Sequence, residues 1–292
     1  MLEFVNNLLL YILSITTLIA ICIYILYKYT IYKFSNNYDN FIKILQNINN
    51  NTMMFMNFGY WDEKHTNLCD ANKNLCDIVF DKCNIKDNKN ILDIGCGYGE
   101  QDFYWYNKHK CNITAIDISK KQIDYAKETA FNNNIEGVTF KLGDATDLPF
   151  NNNSFDNIIC LESAFHYKPR INFFKESYRV LKPDSKMILA DILVKKRDYG
   201  FFTSLFVHFF KSLLSVPSEN LITVDKYVNQ LENCGYEVEK INISEYTFKP
   251  YFDYFVKNNN MNIFFYKKIA NIINNNIENI PLEYYIFVCK KK

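Results

Sequence analysis

The sequence predicts an α/β protein built on a doubly wound, mostly parallel sheet, with a membrane-spanning helix ahead of it. Three observations lead there. Short apolar runs alternate with helix-like segments from about residue 90 onward. The first of those runs ends in the glycine-crowded turn "IGCGYG", residues 94–99. Near the N-terminus, Leu8 to Tyr27 is an apolar stretch of twenty residues without a charge. With 292 residues, 49% of them hydrophobic, and a net charge of +1, the chain can bury one large core or one core with a lid.

The N-terminal stretch comes first. At about 1.5 Å rise per residue, a helix of that length just crosses a hydrocarbon layer of about 30 Å. A signal peptide would need a basic leader and a small-residue cleavage site, whereas "MLEFVNN" carries only Glu3 and no such site follows. A buried core helix is the other alternative. Lys28 and Lys33 flank the far end, so the positive-inside rule puts the remaining chain in the cytosol. Residues 1–35 are therefore expected to be a single-pass anchor and 36–292 one cytosolic domain.

Five apolar runs read as buried parallel strands: "NILDIG" ending at Gly95, "NITAID" at Asp117, "GVTFKL" at Leu142, "FDNIICL" at Leu161 and "KMILAD" at Asp191. Helix-like segments, Lys120–Phe131 and Asn172–Leu181 among them, separate the runs. That alternation means a doubly wound sheet, with ligands beyond the carboxyl ends of its strands. Gly235–Ile243 and Tyr284–Lys290 are two further strands, expected to pair antiparallel with each other at the edge. Cys69, Cys76 and Cys83 recur every seven residues, a helix face turned to the core; nine cysteines without C-x-x-C spacing indicate neither a disulfide framework nor a zinc site.

Gly95, Gly97 and Gly99 let the chain bend sharply after the first strand and let its backbone touch a ligand. The dinucleotide pattern would need a glycine where Glu100 stands, and a phosphate-binding P-loop would need a Gly-Lys-Ser/Thr that is absent. Asp93 lies inside the first strand. Asp117 ends the second, where a carboxylate can bind ribose hydroxyls.

At these residues the sequence resembles the class I S-adenosylmethionine-dependent methyltransferases. The matching segments are "LDIGCGYG" (92–99), "AIDIS" (115–119), "GDATDLPF" (143–150), "FDNIICLES" (155–163) and "RVLKPDSKMILAD" (179–191), in the family's order and spacing. The resemblance implies a Rossmann-like sheet of seven strands with an antiparallel edge strand, and S-adenosyl-L-methionine as cofactor. "MNFGYWD" (56–62) and "LESAFHY" (161–167) are similar to the small-molecule branch, which holds sterol and tocopherol C-methyltransferases and antibiotic-sugar O-methyltransferases. The Asn/Asp-Pro-Pro-Tyr/Phe signature of base and glutamine methyltransferases is missing, which argues against a nucleic-acid substrate. One departure is "PDSK", Pro183 to Lys186, where the family has Pro-Gly-Gly.

Carried over by position, the resemblance implies that Asp93 orients the glycine turn and that Gly95 and Gly97 line the methionine part of the cofactor, with Leu161 at the end of strand four. Asp117 takes the ribose hydroxyls with Ile118 and Gln122 beside it, and Asp144 and Ala145 meet adenine. Each acidic residue has a plainer alternative as a strand-end cap. Tyr60 either covers the methionine end or packs as an ordinary aromatic. His166 and Asp191, just past strands four and five, are implied as proton acceptors, with loop packing the alternative for His166.

The segment 200–217, "GFFTSLFVHFFKSLLSVP", repeats apolar pairs at four-residue steps from Phe201 to Leu214. Family members place a lid here, so an insertion at about 195–222 is expected to wall the acceptor pocket or dip into a membrane surface; core packing is the alternative. The expected activity is methyl transfer to a lipid or other apolar small molecule at a membrane. A membrane-anchored protein or peptide methyltransferase and an inactive scaffold of the same fold are the competing readings.

Overall fold

The computed structural model describes residues 55–85, 89–196, 215–257 and 281–292, with residues 207, 211, 267, 270, 271, 274 and 275 between them. The expected anchor (8–27) and most of the expected lid lie outside the described residues. No helix among those described is long and apolar enough to cross a membrane.

Helix α1 (Leu68–Lys82) starts at Asn67, whose side chain accepts the Asp70 N–H, and buries Leu75, Cys76 and Val79. Cys83 is buried at its end and Cys69 half-buried at its start, so the seven-residue cysteine spacing does mark an inward face. There follow β1 (Asn90–Ile94), α2 (Glu100–His109), β2 (Asn112–Asp117), α3 (Lys120–Asn132), β3 (Val138–Leu142) and β4 (Phe155–Leu161). A short 3₁₀ turn (Ala164–His166) leads into α4 (Arg170–Val180), β5 (Leu181–Val194), α5 (Val224–Glu232), β6 (Tyr236–Asn242), α6 (Phe248–Lys257) and β7 (Leu282–Lys291).

The seven strands line up in the order β3-β2-β1-β4-β5-β7-β6. The first five are parallel, and β7 lies antiparallel between β5 and β6. The last two strands do pair antiparallel at the edge, as expected. Alternate residues feed two cores, one on each face. Ile91, Ile113, Ile159 and Ile188 meet α1, α2, α3 and α6 on one side, whereas Leu92, Ile158, Met187 and Leu189 meet α4 and α5 on the other.

Strand five departs from expectation at both ends. Asp191 does not end it: pairing with β7 continues to Val194 opposite Leu282, so Asp191 lies within the strand, level with Tyr285. At its start, β5 begins already at Leu181, and the register against β4 jumps from Phe155↔Leu181 to Asn157↔Lys186. The "PDSK" segment is that irregularity, with Asp184 at φ +60°, a conformation that glycine adopts without strain.

Candidate active site

The candidate groups gather at the carboxyl ends of β1, β2, β3 and β4. Gly95, Gly97 and Gly99 have φ of +82°, +58° and +80°. A Cβ on Gly95 would lie 2.3 Å from Ser163 Oγ and 2.5 Å from Tyr167 Oη; one on Gly97 would lie 2.4 Å from Met56 Cε. Only bare backbone fits there. Ser163 and Tyr167 hold the turn from the β4 side, their hydroxyls donating to the Ile94 carbonyl at 2.9 and 3.2 Å.

Asp117 closes the turn from the β2 side. Its Oδ2 accepts the Gly97 N–H at 3.0 Å and its Oδ1 the Ser119 N–H at 2.8 Å. Burial raises its pKa above the usual carboxylate range while these N–H groups pull the other way. With the Ile118 N–H also reaching it, the carboxylate keeps one lone pair for a further donor such as a sugar hydroxyl. Beside it Ile118 is 75% exposed, and Leu142 at the end of β3 is 53% exposed. Large apolar side chains left in water next to a carboxylate make a surface for a flat ring. Gln122 stands in the first turn of α3, its N–H on Ser119 Oγ. Ala145 is buried. Asp144 Oδ1 accepts both the N–H and the hydroxyl of Thr146 at 2.8 Å, so this carboxylate does cap its own loop. Asp93 is fully buried and accepts from Gln101 Nε2 at 2.9 Å, and Leu161 is buried at the end of β4.

The Tyr60 ring stacks on Tyr246 with centroids 4.7 Å apart and planes at 13°, and its N–H donates to the Ala71 carbonyl.

Past β4 the structure brings in a residue that sequence reasoning passed over, Glu162. It sits at φ +52°, and its Oε1 accepts the Phe58 N–H and the Tyr284 hydroxyl, both at 2.7 Å. Phe58 packs in turn on Phe248, Tyr251 and Phe252. Burial among these rings raises the Glu162 pKa to about 8 against the opposing pull of the two donors. The Glu of "LES" was visible in the sequence; that Phe58 and Tyr284, 104 and 122 residues away, converge on it was not.

His166 ends the 3₁₀ turn with its surface exposed. The chain packed around the ring lowers its pKa to about 4, opposed by a hydrogen bond with the Ser215 backbone. Asp191 is placed differently from expectation. It is 0% exposed and its side chain lies on the α4–α5 face, where Oδ2 accepts the Tyr227 hydroxyl at 2.8 Å and lies 4.0 Å from Arg170 Nη1. Burial raises its pKa to about 6, opposed by Arg170, Tyr227 and the backbone N–H groups of Ile192 and Phe165. Because it lies inside a strand and under two side chains, it does not converge with His166 over open space. It holds the Phe165 backbone, one residue ahead of His166.

Comparison with known proteins fits this arrangement. The family described as Methyltransferase domain matches residues 92–189. Erythromycin 3''-O-methyltransferase of Saccharopolyspora erythraea is 33% identical over 210 residues, covering 70% of this chain and 69% of that protein. The chain belongs to the class I S-adenosylmethionine-dependent methyltransferases. The methyltransferase is also 29% identical over 196 residues to 27-O-demethylrifamycin SV methyltransferase of Amycolatopsis mediterranei, covering 66% of this chain and 70% of that one. The solved geranyl diphosphate methyltransferase in complex with SAM shares its fold at a TM-score of 0.69 and 14% identity, covering 81% of this chain and 98% of that one.

Its cofactor is S-adenosylmethionine, and the residues present fit that molecule. The turn after β1 has no room for side chains, Asp117 has a spare lone pair at the end of β2, and Ile118 and Leu142 offer apolar surface next to it.

Proposed function

We propose that the methyltransferase transfers a methyl group to a hydroxyl of an apolar, lipid-like small molecule at a membrane surface. One observation carries the apolar part. A small cavity of about 30 Å³, which an acceptor would have to widen, lies beside the turn that bears His166, lined by Phe165, Ile192, Val194, Val216, Leu221 and Leu282, with Lys211 and Asn220 its polar members. Val207 and Lys211 reach it from the insertion after β5, where the acceptor lid is expected. Apolar walls with a few polar groups suit a hydrophobic ligand. The O-methyltransferase names of the antibiotic relatives support a hydroxyl acceptor.

Gly95, Gly97, Asp117, Ile118, Gln122, Asp144, Ala145 and Leu161 are the cofactor-binding residues in this reading, with Asp93 beneath the turn. When bound, the cofactor supplies a methyl group on a sulfonium, open to in-line displacement. The chain's own part is to align the acceptor and exclude water, which can lower a barrier by about 7–11 kcal/mol. A hydroxyl acceptor must also lose its proton. Among the described residues, Glu162 and His166 are two groups past β4 that can take it. Glu162 is the better placed, half-buried with one oxygen fixed by Phe58 and Tyr284. Asp191 acts through the Phe165 backbone as a positioning residue.

Membrane attachment rests on the uncharged Leu8–Tyr27 stretch with Lys28 and Lys33 behind it. Release of the full-length chain by carbonate extraction would refute it. The acceptor class is tested by incubating the full-length protein with labelled cofactor and separated lipid and protein fractions of the host. Label in the lipid fraction supports the proposal; label in protein alone favours the peptide-methyltransferase reading.

A further inference from the structure

Beneath the glycine turn lies a buried pair of acids. Asp93 on β1 and Asp102 in the first turn of α2 are both 0% exposed and their side chains meet. Gln101 Nε2 satisfies Asp93 Oδ2, and the backbone N–H groups of Ile94 and Asp102 favour the charged forms of Asp93 and Asp102 respectively, but Asp93 Oδ1 and both oxygens of Asp102 are buried without a hydrogen-bond partner. Among the described residues no salt bridge reaches either carboxyl. The titratable groups that face the pair are Cys76 on α1, Cys96 in the turn, Cys111 and Asp117 at the two ends of β2, and Cys160 on β4; none is a cation.

Two ionised carboxylates cannot share such a site, since desolvation and mutual repulsion both oppose the second charge. One shared proton pairs two of the three orphaned oxygens and removes one charge: a carboxylic acid at Asp102 donates to Asp93 Oδ1, the other Asp102 oxygen becomes a neutral carbonyl, and the pair keeps a single negative charge. That charge faces the N-terminus of α2, where the helix dipole favours it. Asp93 directly precedes Ile94 and Gly95, so whatever fixes its carboxyl also fixes the end of β1 from which the turn departs.

We propose that Asp102 is a positioning residue for S-adenosylmethionine: as a neutral acid it donates a hydrogen bond to Asp93 and so holds the glycine turn in the shape that receives the cofactor. The inference rests on the reading of Gly95 and Gly97 as the cofactor cradle. Burial raises both carboxyls above the ordinary range; Asp93 raises Asp102 further, whereas the hydrogen bond from Asp102 favours the charged form of Asp93. The sign of the linkage follows. A folded state that holds an extra proton is stabilised at low pH and loses that stabilisation as pH rises through the pair's folded range.

The test measures cofactor affinity by calorimetry between pH 6 and 9, on the full-length wild-type protein, Asp102→Asn and Asp102→Ala. Asparagine keeps a donor toward Asp93 that cannot be titrated; alanine removes it. The cofactor's own amino group titrates alike in all three, so the readout is the difference between profiles. Wild-type affinity should fall at least fivefold more steeply than that of Asp102→Asn across this range. At pH 6 the two should agree within about threefold, whereas Asp102→Ala should bind at least tenfold more weakly. Thermal melts without cofactor supply a second readout: wild-type stability should drop between pH 6 and 9, and that of Asp102→Asn should stay flat. Equal pH profiles and equal melts for wild type and Asp102→Asn would overturn the proposal, as would wild-type affinity in Asp102→Ala. If the melts differ as expected but no folded protein binds the cofactor at any pH, the cradle assignment fails and the positioning role with it.

Discussion

If Glu162 takes the acceptor's proton, the methyltransferase should have a steep pH profile of a kind that His166 cannot produce. A carboxyl with pKa about 8 is only about one-tenth ionised at pH 7. With Glu162 as the base, kcat/KM should therefore climb about tenfold per pH unit below its pKa and level off above it. A cationic sulfonium nearby would pull that pKa down, so in the cofactor-saturated enzyme the limb lies at or below 8, yet above the ~4.3 of a free glutamate. His166, lowered to about 4, would be neutral across the same interval and give a flat profile. The perturbation is Glu162→Gln, which keeps the shape and can still receive the Phe58 N–H and the Tyr284 hydroxyl on its amide oxygen. It should lower the methyl-transfer rate by about 10²–10⁴-fold and remove the limb, with calorimetric affinity for the cofactor within threefold of wild type. The assay is initial-rate methyl transfer to the acceptor from pH 6 to 9 at saturating cofactor. A flat wild-type profile together with a Glu162→Gln rate near wild type would refute the reasoning. In that event, a large loss in His166→Ala would move the base to the 3₁₀ turn.

The other predictions concern the cradle, the recess and the buried acid. Asp117→Ala removes the acceptor of the Gly97 and Ser119 N–H groups as well as the ribose contact, and should cost about 1.5–3 kcal/mol of cofactor binding, tenfold or more by calorimetry. Gly95→Ala should destabilise the fold more than Gly97→Ala in chemical denaturation, because the new Cβ meets two hydroxyls fixed on Ile94 in the first case and only the end of the flexible Met56 side chain in the second. Leu282→Ser and Val216→Ser should raise KM for an apolar acceptor while leaving cofactor affinity unchanged. Tyr227→Phe leaves the buried Asp191 Oδ2 without its 2.8 Å donor and should cost about 1–3 kcal/mol in denaturant, with no change in cofactor affinity.

What the sequence made legible follows from how each feature is encoded. The central parallel strands β1 and β4 are buried on both faces and so appear as largely apolar runs, and β2 and β4 match expectation to the residue. The end of β5 was misplaced because Asp191 looks like a polar stop. Only its partner Tyr227, 36 residues on, shows it to be a buried acid with the strand continuing past it. Glu162 and Asp102 were illegible for the same reason, since a carboxyl's neighbours decide its role and those neighbours come from other elements.

Donors rather than sequence position separate these acids, and the separation has a mechanistic consequence. Asp117 receives the backbone N–H groups of Gly97, Ile118 and Ser119 at a partly open edge, and these favour the charged form a ribose contact needs against the burial that raises its pKa. Glu162 receives one N–H and one hydroxyl on a single oxygen among aromatic rings, which leaves it near the point of balance where a proton can be taken and released. Asp102 receives nothing from outside the pair, so it can stay buried only as an acid. Cofactor binding, proton acceptance and support of the turn thus fall to three carboxyls because three different sets of donors reach them. Exchanging the donors should exchange the behaviour: Tyr284→Phe, which takes the hydroxyl from Glu162, should move the rising limb of the rate profile to higher pH. An unmoved limb in that variant would show that the titrating base is not Glu162.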